Sequence, residues 1–362
     1  MTTAAPDLAS VPSDRDVLID VLRAIGLVMI VLAHTIPSGW TIFQLRNFDV
    51  PLMAFVAGMS FAVTAPERLS LGPYYLKRIG RLLVPTYTFL LLFFGITALC
   101  CWLIDQPFAL QGGWYQTFML TNHPPSIGYV WIIRVFVLLA ATAPLLHWVW
   151  MRTPKAVFAS SLIVAYAGYE VAFYNIPRPE TVWVRTLLFT YIYFAISYAL
   201  MFGVGMLCTR LSALQRFLAV IFFSIVFVIC IFYFARGDEI TLRMQSYKYP
   251  PRLYYVSWGM LMSLTLSLVL MRLWLPGVLM SAVRFLSSAS LWIYLWHIAV
   301  LYIIRWHLGG VEVLKNHWIK FGVVLVTASL ITLAHRLVFR WLSRRLEPLP
   351  PLAGFVRLAF LK

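Results

Sequence analysis

The chain has 362 residues, is 62% hydrophobic and only 12% charged, and its mean hydropathy is +0.84. A composition this apolar excludes a soluble globular domain and predicts an all-α integral membrane protein. The net charge of +16 comes without a long basic tail or a nucleic-acid motif, so it reads as membrane orientation and no nucleic-acid partner is expected.

In chain order, residues 1–17 are expected as a cytoplasmic segment. They carry Asp7, Asp14 and Asp16, and no small-residue cleavage site follows a short apolar core. The first span is therefore expected to be retained as an anchor. About ten transmembrane helices are expected, over about residues 18–36, 48–65, 82–104, 128–150, 156–174, 184–208, 215–235, 254–273, 285–305 and 319–340. Together they form one membrane domain, about residues 18–340, followed by a basic tail at 341–362.

The first span holds Asp20, Arg23 and His34. At ~100° per residue the three fall within roughly 60° of one another on a helix. A charged group in a membrane helix costs at least ~2.5–3.5 kcal/mol, so this stripe is expected to face a protein interior or a wet cavity. Snorkelling covers Asp20 and Arg23 near a helix end, but not His34. Histidine suits proton removal from a hydroxyl near neutral pH. The second span returns from about Phe48, which puts Asp49 at nearly the depth of His34. A His34–Asp49 pair is one reading; Asp49 capping its own helix is the other.

Lys77, Arg78 and Arg81 stand just before the third span. Arg78 and Arg81 share a helix face at i, i+3, and two guanidinium groups there suit phosphate, although ordinary membrane-orienting charge reads the same way. Arg134, beside Trp131 and Tyr129, and Glu170 are expected to line a cavity. The four cysteines, Cys100, Cys101, Cys208 and Cys230, read as packing residues. No spacing of His, Asp and Glu suggests a metal site.

Basic residues then set direction. Arg68, Arg152, Lys155, Arg210, Arg216, Arg272 and Arg284 join the Lys77–Arg81 group on one side, as does the arginine-rich tail, while residues 105–127 hold no Lys or Arg. Both termini are accordingly expected in the cytoplasm. One outer loop runs against this. Residues 236–252 carry Arg236, Arg243, Lys248 and Arg252 with Asp238 and Glu239. Either this is a solvated loop of mixed charge or it binds an anionic or phosphate-linked glycan. Its Tyr247–Tyr255 stretch reads as a carbohydrate-facing lip or an interfacial belt. Finally, Ser287–His297 places Tyr294 and His297 three apart within a span, as substrate contacts or as interhelical hydrogen bonds.

In this order the motifs resemble acyltransferase family 3, integral membrane O-acyltransferases of bacterial surface glycans. The resemblance covers about residues 15–340. It rests on Asp20-x-x-Arg23 with His34, on Phe48–Gly58 with Pro51 and Phe55 in place, on Arg78-x-x-Arg81, and on Ser290-Leu-x-x-Tyr294-x-x-His297.

The resemblance implies a bacterial inner-membrane enzyme that moves an acyl group, acetyl first among them, from cytoplasmic acyl-CoA to a sugar hydroxyl of a cell-surface polysaccharide or its lipid-linked precursor. The coenzyme is a co-substrate, not a bound cofactor. His34, Asp49 and Arg23 are the expected catalytic residues, and Arg23 or Arg134 the expected oxyanion stabiliser. Lys77, Arg78 and Arg81 are expected to engage the coenzyme; Asp20, Arg134, Tyr294, His297 and Lys248 are expected to contact substrate. The sequence ends after its membrane part, so the reaction is expected within the spans or with a polysaccharide-assembly partner. The competing classes are a transporter or flippase of a glycan intermediate, and a non-catalytic scaffold.

Overall fold

The structure is a computed structural model that describes residues 14–108, 113–121, 125–234, 242–273 and 275–361. Asp7, Arg236, Asp238, Glu239 and Lys362 lie outside the described residues.

Apolar spans must satisfy every backbone group internally. The chain accordingly forms α1 Asp14–Ala33, α2 Thr41–Leu45, α3 Asp49–Thr64, α4 Leu71–Leu103, α5 Trp114–Phe118, α6 Trp131–Arg152, α7 Lys155–Asn175, α8 Val182–Thr186, α9 Tyr193–Cys208, α10 Ala213–Phe234, α11 Leu253–Val269, α12 Gly277–Ser288, α13 Ser290–His307, α14 His317–Arg345 and α15 Pro350–Val356. Among the described residues, eight helical stretches are long and apolar enough to cross a membrane. A further pair, α12 and α13, is bent by 77° and passes the same test jointly. The helix α1 is not among them, because Asp16, Asp20 and Arg23 interrupt its apolar run.

That failure has a packing counterpart. A helix with a charged stripe is best placed inside the bundle, and α1 contacts α3, α11, α12, α13 and α14. Its apolar residues Leu22, Leu27 and Val31 are fully buried among them. By contrast α10, which has no such stripe, is only 11% buried over its most apolar window and presents Phe222, Ile229 and Phe232 outward.

Three sequence expectations change. The third span was expected from about residue 82; α4 starts at Leu71 and carries Lys77, Arg78 and Arg81 on the helix itself. The polar face of that first part hides the helix from an apolar-run search. The ninth expected span, 285–305, is two helices broken at Ala289. Residues beyond 340, expected as a basic tail, continue α14 to Arg345 and then fold back. Phe360 stacks on Phe339 with ring centroids 3.8 Å apart, and its carbonyl accepts from His335 Nε2 at 2.8 Å.

Helices α3 and α9 pack most closely at Gly58 and Gly205. A Cβ on Gly58 falls 1.9 Å from the carbonyl oxygen of Phe202, and one on Gly205 falls 1.9 Å from that of Phe55. Such contact is the small-residue mode of helix association in membranes.

Candidate active site

Most of the sequence positions of interest line two cavities that share Ile30 and Ile132 as a common wall. The first encloses about 370 Å³ and is lined by Arg23, Ser60, Tyr74, Arg78, Arg81 and Tyr294, among apolar neighbours. The second encloses about 310 Å³ and is lined by His34, Arg46, Asp49, Tyr129, Trp131 and Lys248, with Gln245 and Tyr249.

Arg23 is held on three sides in the first cavity. Nη1 donates to Ser287 Oγ at 2.9 Å and Nη2 to Ser60 Oγ at 2.7 Å. Asp20 Oδ1 lies 3.6 Å from Nη1 and accepts from Ser287 Oγ at 2.5 Å. The guanidinium thus ties α1 to α3 and to the end of α12. The break after α12 is what brings Ser287 to this point. Arg78 and Arg81 stand on the face of α4 that closes the cavity. Lys77 is exposed on another face and lines neither cavity.

His34 follows the last residue of α1, in the turn that Pro37 ends. Its partner is His297, not Asp49. The two rings lie nearly parallel, 14° apart, with His34 Nδ1 2.9 Å from His297 Nε2. His297 Nδ1 is hydrogen-bonded to the carbonyl of Tyr294. A carbonyl only accepts, so for neutral rings the proton of His297 sits on Nδ1 and its Nε2 lone pair faces His34. His34 Nδ1–H donates to that lone pair. His34 Nε2 remains unprotonated and has no hydrogen-bond partner among the described residues. Tyr294 OH donates to the carbonyl of Tyr129, whose ring meets His34 edge-on at 4.7 Å. Gly128, at φ +75°, makes the turn that presents this carbonyl.

Asp49 is held elsewhere. Its carboxylate accepts from Arg46 Nη1 at 2.7 Å and from the backbone N–H of Val50 at 2.8 Å. Lys248 Nζ approaches it only to 3.9 Å, beyond hydrogen-bond length. Asp49 and His34 therefore share a cavity, and the imidazole takes its orientation from His297. Lys248 lies in the connection before α11 and is buried, which pushes its ammonium down to about 8 although Asp49 opposes the shift. Nζ also stands 5.4 Å from the centre of the Trp131 ring.

Arg134 lines neither cavity. It is 3% exposed, its guanidinium makes no hydrogen bond, and it rests 5.1 Å from the ring of Phe194. Glu170, expected as a cavity liner, ties α7 to α11: it accepts from Tyr166 OH at 2.8 Å and from the Leu253 N–H at 2.6 Å. Cys100, Cys101, Cys208 and Cys230 are free thiols.

Sequence reasoning passed over Arg46, Ser60 and Gln245, while Tyr249 belongs to the Tyr247–Tyr255 stretch read as a carbohydrate-facing lip or an interfacial belt. Arg46 was findable, since it stands three residues before Asp49, the spacing of an intrahelical ion pair. Ser60 and Gln245 reach the cavities only through packing of distant segments.

A helical membrane protein with two cavities that share the apolar wall of Ile30 and Ile132, one edged by arginines and the other by a histidine, is the class that this fold and site define. The chain belongs to the acyltransferase 3 family, whose acyltransferase domain model matches residues 16–337. The protein is thus a membrane acyltransferase. Neither the curated proteins nor the solved structures yield a significant match.

Proposed function

We propose that this acyltransferase moves an acyl group, acetyl first among them, from acyl-CoA to a hydroxyl of a cell-surface polysaccharide or its lipid-linked precursor, in the inner membrane of a bacterium. The observation that carries the reading is the division of labour between the cavities. Guanidinium groups fill one, and a histidine with a free Nε2 faces the other, one helical turn from their common wall at Ile30.

In this reading Arg78 and Arg81 bind the coenzyme phosphates from the cytoplasmic side. The acyl end of the coenzyme reaches along α1 past Ile30 to His34. The acceptor enters the His34 cavity. His34 Nε2 takes the proton of its hydroxyl as the oxygen attacks the thioester carbonyl. The C–S bond then breaks, and the departing thiolate recovers the proton from the imidazolium. Arg23 lies eleven residues before His34, roughly 16 Å along the helix, so it serves the donor end. For the same reason it is not assigned to the oxyanion, and Arg134, outside both cavities, is not assigned either.

His297 is a positioning residue: it fixes which nitrogen of His34 is free. His297→Ala is expected to lower kcat by about tenfold with little change in the KM of either substrate, less than the ~10²–10⁴-fold that the general base itself supplies. His297→Gln, whose side-chain oxygen accepts from His34 Nδ1–H, should recover most of the loss. Equal damage by both substitutions would remove His297 from the mechanism. On the donor side, Arg78→Ala and Arg81→Ala are each expected to raise the KM for acyl-CoA about tenfold, the loss of about 1.4 kcal/mol of charge-assisted binding. Steady-state kinetics in proteoliposomes checks this, and an effect confined to the acceptor KM would place the coenzyme elsewhere.

The direct test is mass-spectrometric detection of a new ester on an acceptor glycan, dependent on added acetyl-CoA and on purified protein. Glycan movement across the bilayer without ester formation would instead indicate a transporter.

A further inference from the structure

The His34 cavity carries more positive charge than its own carboxylate neutralises. Among the described residues its lining holds Arg46, Lys248 and Asp49 as formal charges, leaving one net positive charge. Arg46 is 3% exposed, Lys248 4% and Asp49 2%, so bulk solvent does little to screen them. Asp49 is committed to Arg46 at 2.7 Å, while the Lys248 ammonium is left at 3.9 Å and makes no hydrogen bond among the described residues. A buried ammonium with its donors unused is costly unless something binds there. Next to it, the side-chain oxygen of Gln245 is also buried without a hydrogen bond. Trp131 and Tyr249, whose rings meet edge to face at 5.1 Å, form a wall beside the ammonium on which a sugar ring can lie.

We propose that this cavity is a subsite for an anionic sugar, whose carboxylate or phosphate is bound by Lys248 with Arg46 while a hydroxyl of the same sugar faces His34. The inference rests on the acyl-transfer reading for what becomes of the hydroxyl, but not for the charge of the ligand. Lys248 supplies the free point charge and Arg46 orients Asp49 so that the carboxylate does not enter the ligand position. The aromatic wall supplies contact with the apolar face of the sugar. A neutral sugar fills the same space but leaves the ammonium unpaired.

Octyl β-glucuronide, octyl glucose 6-phosphate and octyl β-glucoside are matched probes. Their equilibrium binding to the full chain in nanodiscs, and their acetylation from acetyl-CoA, are measured in parallel. Both anionic glycosides, or one of them, are expected to bind at least tenfold more tightly than the glucoside. Whichever is preferred identifies carboxylate or phosphate as the anion. Lys248→Gln is expected to reduce that preference to within twofold, and Lys248→Arg to retain most of it. Equal binding of all three probes by the wild-type protein overturns the proposal whatever the variants do. So does a preference that survives in a folded Lys248→Gln protein. Charge-selective, Lys248-dependent binding without transfer upholds the anion site and counts against acyl transfer. Transfer with no preference for charge does the reverse.

Discussion

Replacing His34 with alanine is expected to lower acyl transfer by about 10²–10⁴-fold, the contribution of a positioned general base, with the KM for acyl-CoA little changed. The expectation follows from the unpartnered Nε2 of His34, and from the distance between His34 and the arginines proposed to hold the donor. The measurement is ester content of the host surface glycan in a deletion strain carrying wild-type or His34→Ala protein at matched membrane levels. Kinetics on the purified proteins follow. Ester loss with unchanged polymer yield supports His34 as the base. Unchanged esters would end its catalytic role for that glycan, and a fall in exported polymer with esters retained would favour transport. Asp49→Asn tests the other sequence reading within the same strain set. Because Asp49 serves Arg46 and Val50, its loss is expected to act on acceptor binding and folding more than on the proton-transfer step.

Gly205→Ala is expected to be the most destabilising single-methyl change in the helix bundle. The added carbon would stand 1.9 Å from a backbone oxygen of Phe55 and 2.7 Å from the carbon bearing it. Backbone in the middle of a packed helix does not move aside as a side chain does. Gly203 gives the contrast, since the obstacle there is the far end of Leu162. Overpacking typically costs about 1–3 kcal/mol, and a clash of two backbones belongs at or above the top of that range. Gly58→Ala makes the reciprocal clash with Phe202 and should behave alike. Gly95→Ala is the control: it sits on α4 with no atom within 4 Å, and should be neutral or stabilising by up to about 1 kcal/mol. The readout is the fraction of monodisperse protein recovered from detergent after graded heating. Wild-type recovery of Gly205→Ala would show that α3 and α9 are not in the contact described.

The membrane class, the helical architecture and the motif set were legible from the sequence because they depend on local properties. Long apolar runs must become helices in lipid, and charges within one run mark the helix that belongs inside the bundle. Asp20, Arg23 and His34 could therefore be assigned to one interior stripe before any contact was known. So could the shared face of Arg78 and Arg81, which depends only on helical pitch. The start of α4 and the break at Ala289 were not legible, because each depends on what the neighbouring surface accepts rather than on an apolar run. Only the tertiary structure gave His34 its partner. His34 and His297 are 263 residues apart, and Asp49, much nearer in sequence, was claimed by Arg46 three positions away. Depth in the membrane is a property of the chain's topology, and it made Asp49 plausible. Hydrogen-bond pairing is settled at about 3 Å by how helices rotate and pack against one another, and that information is not local to any segment.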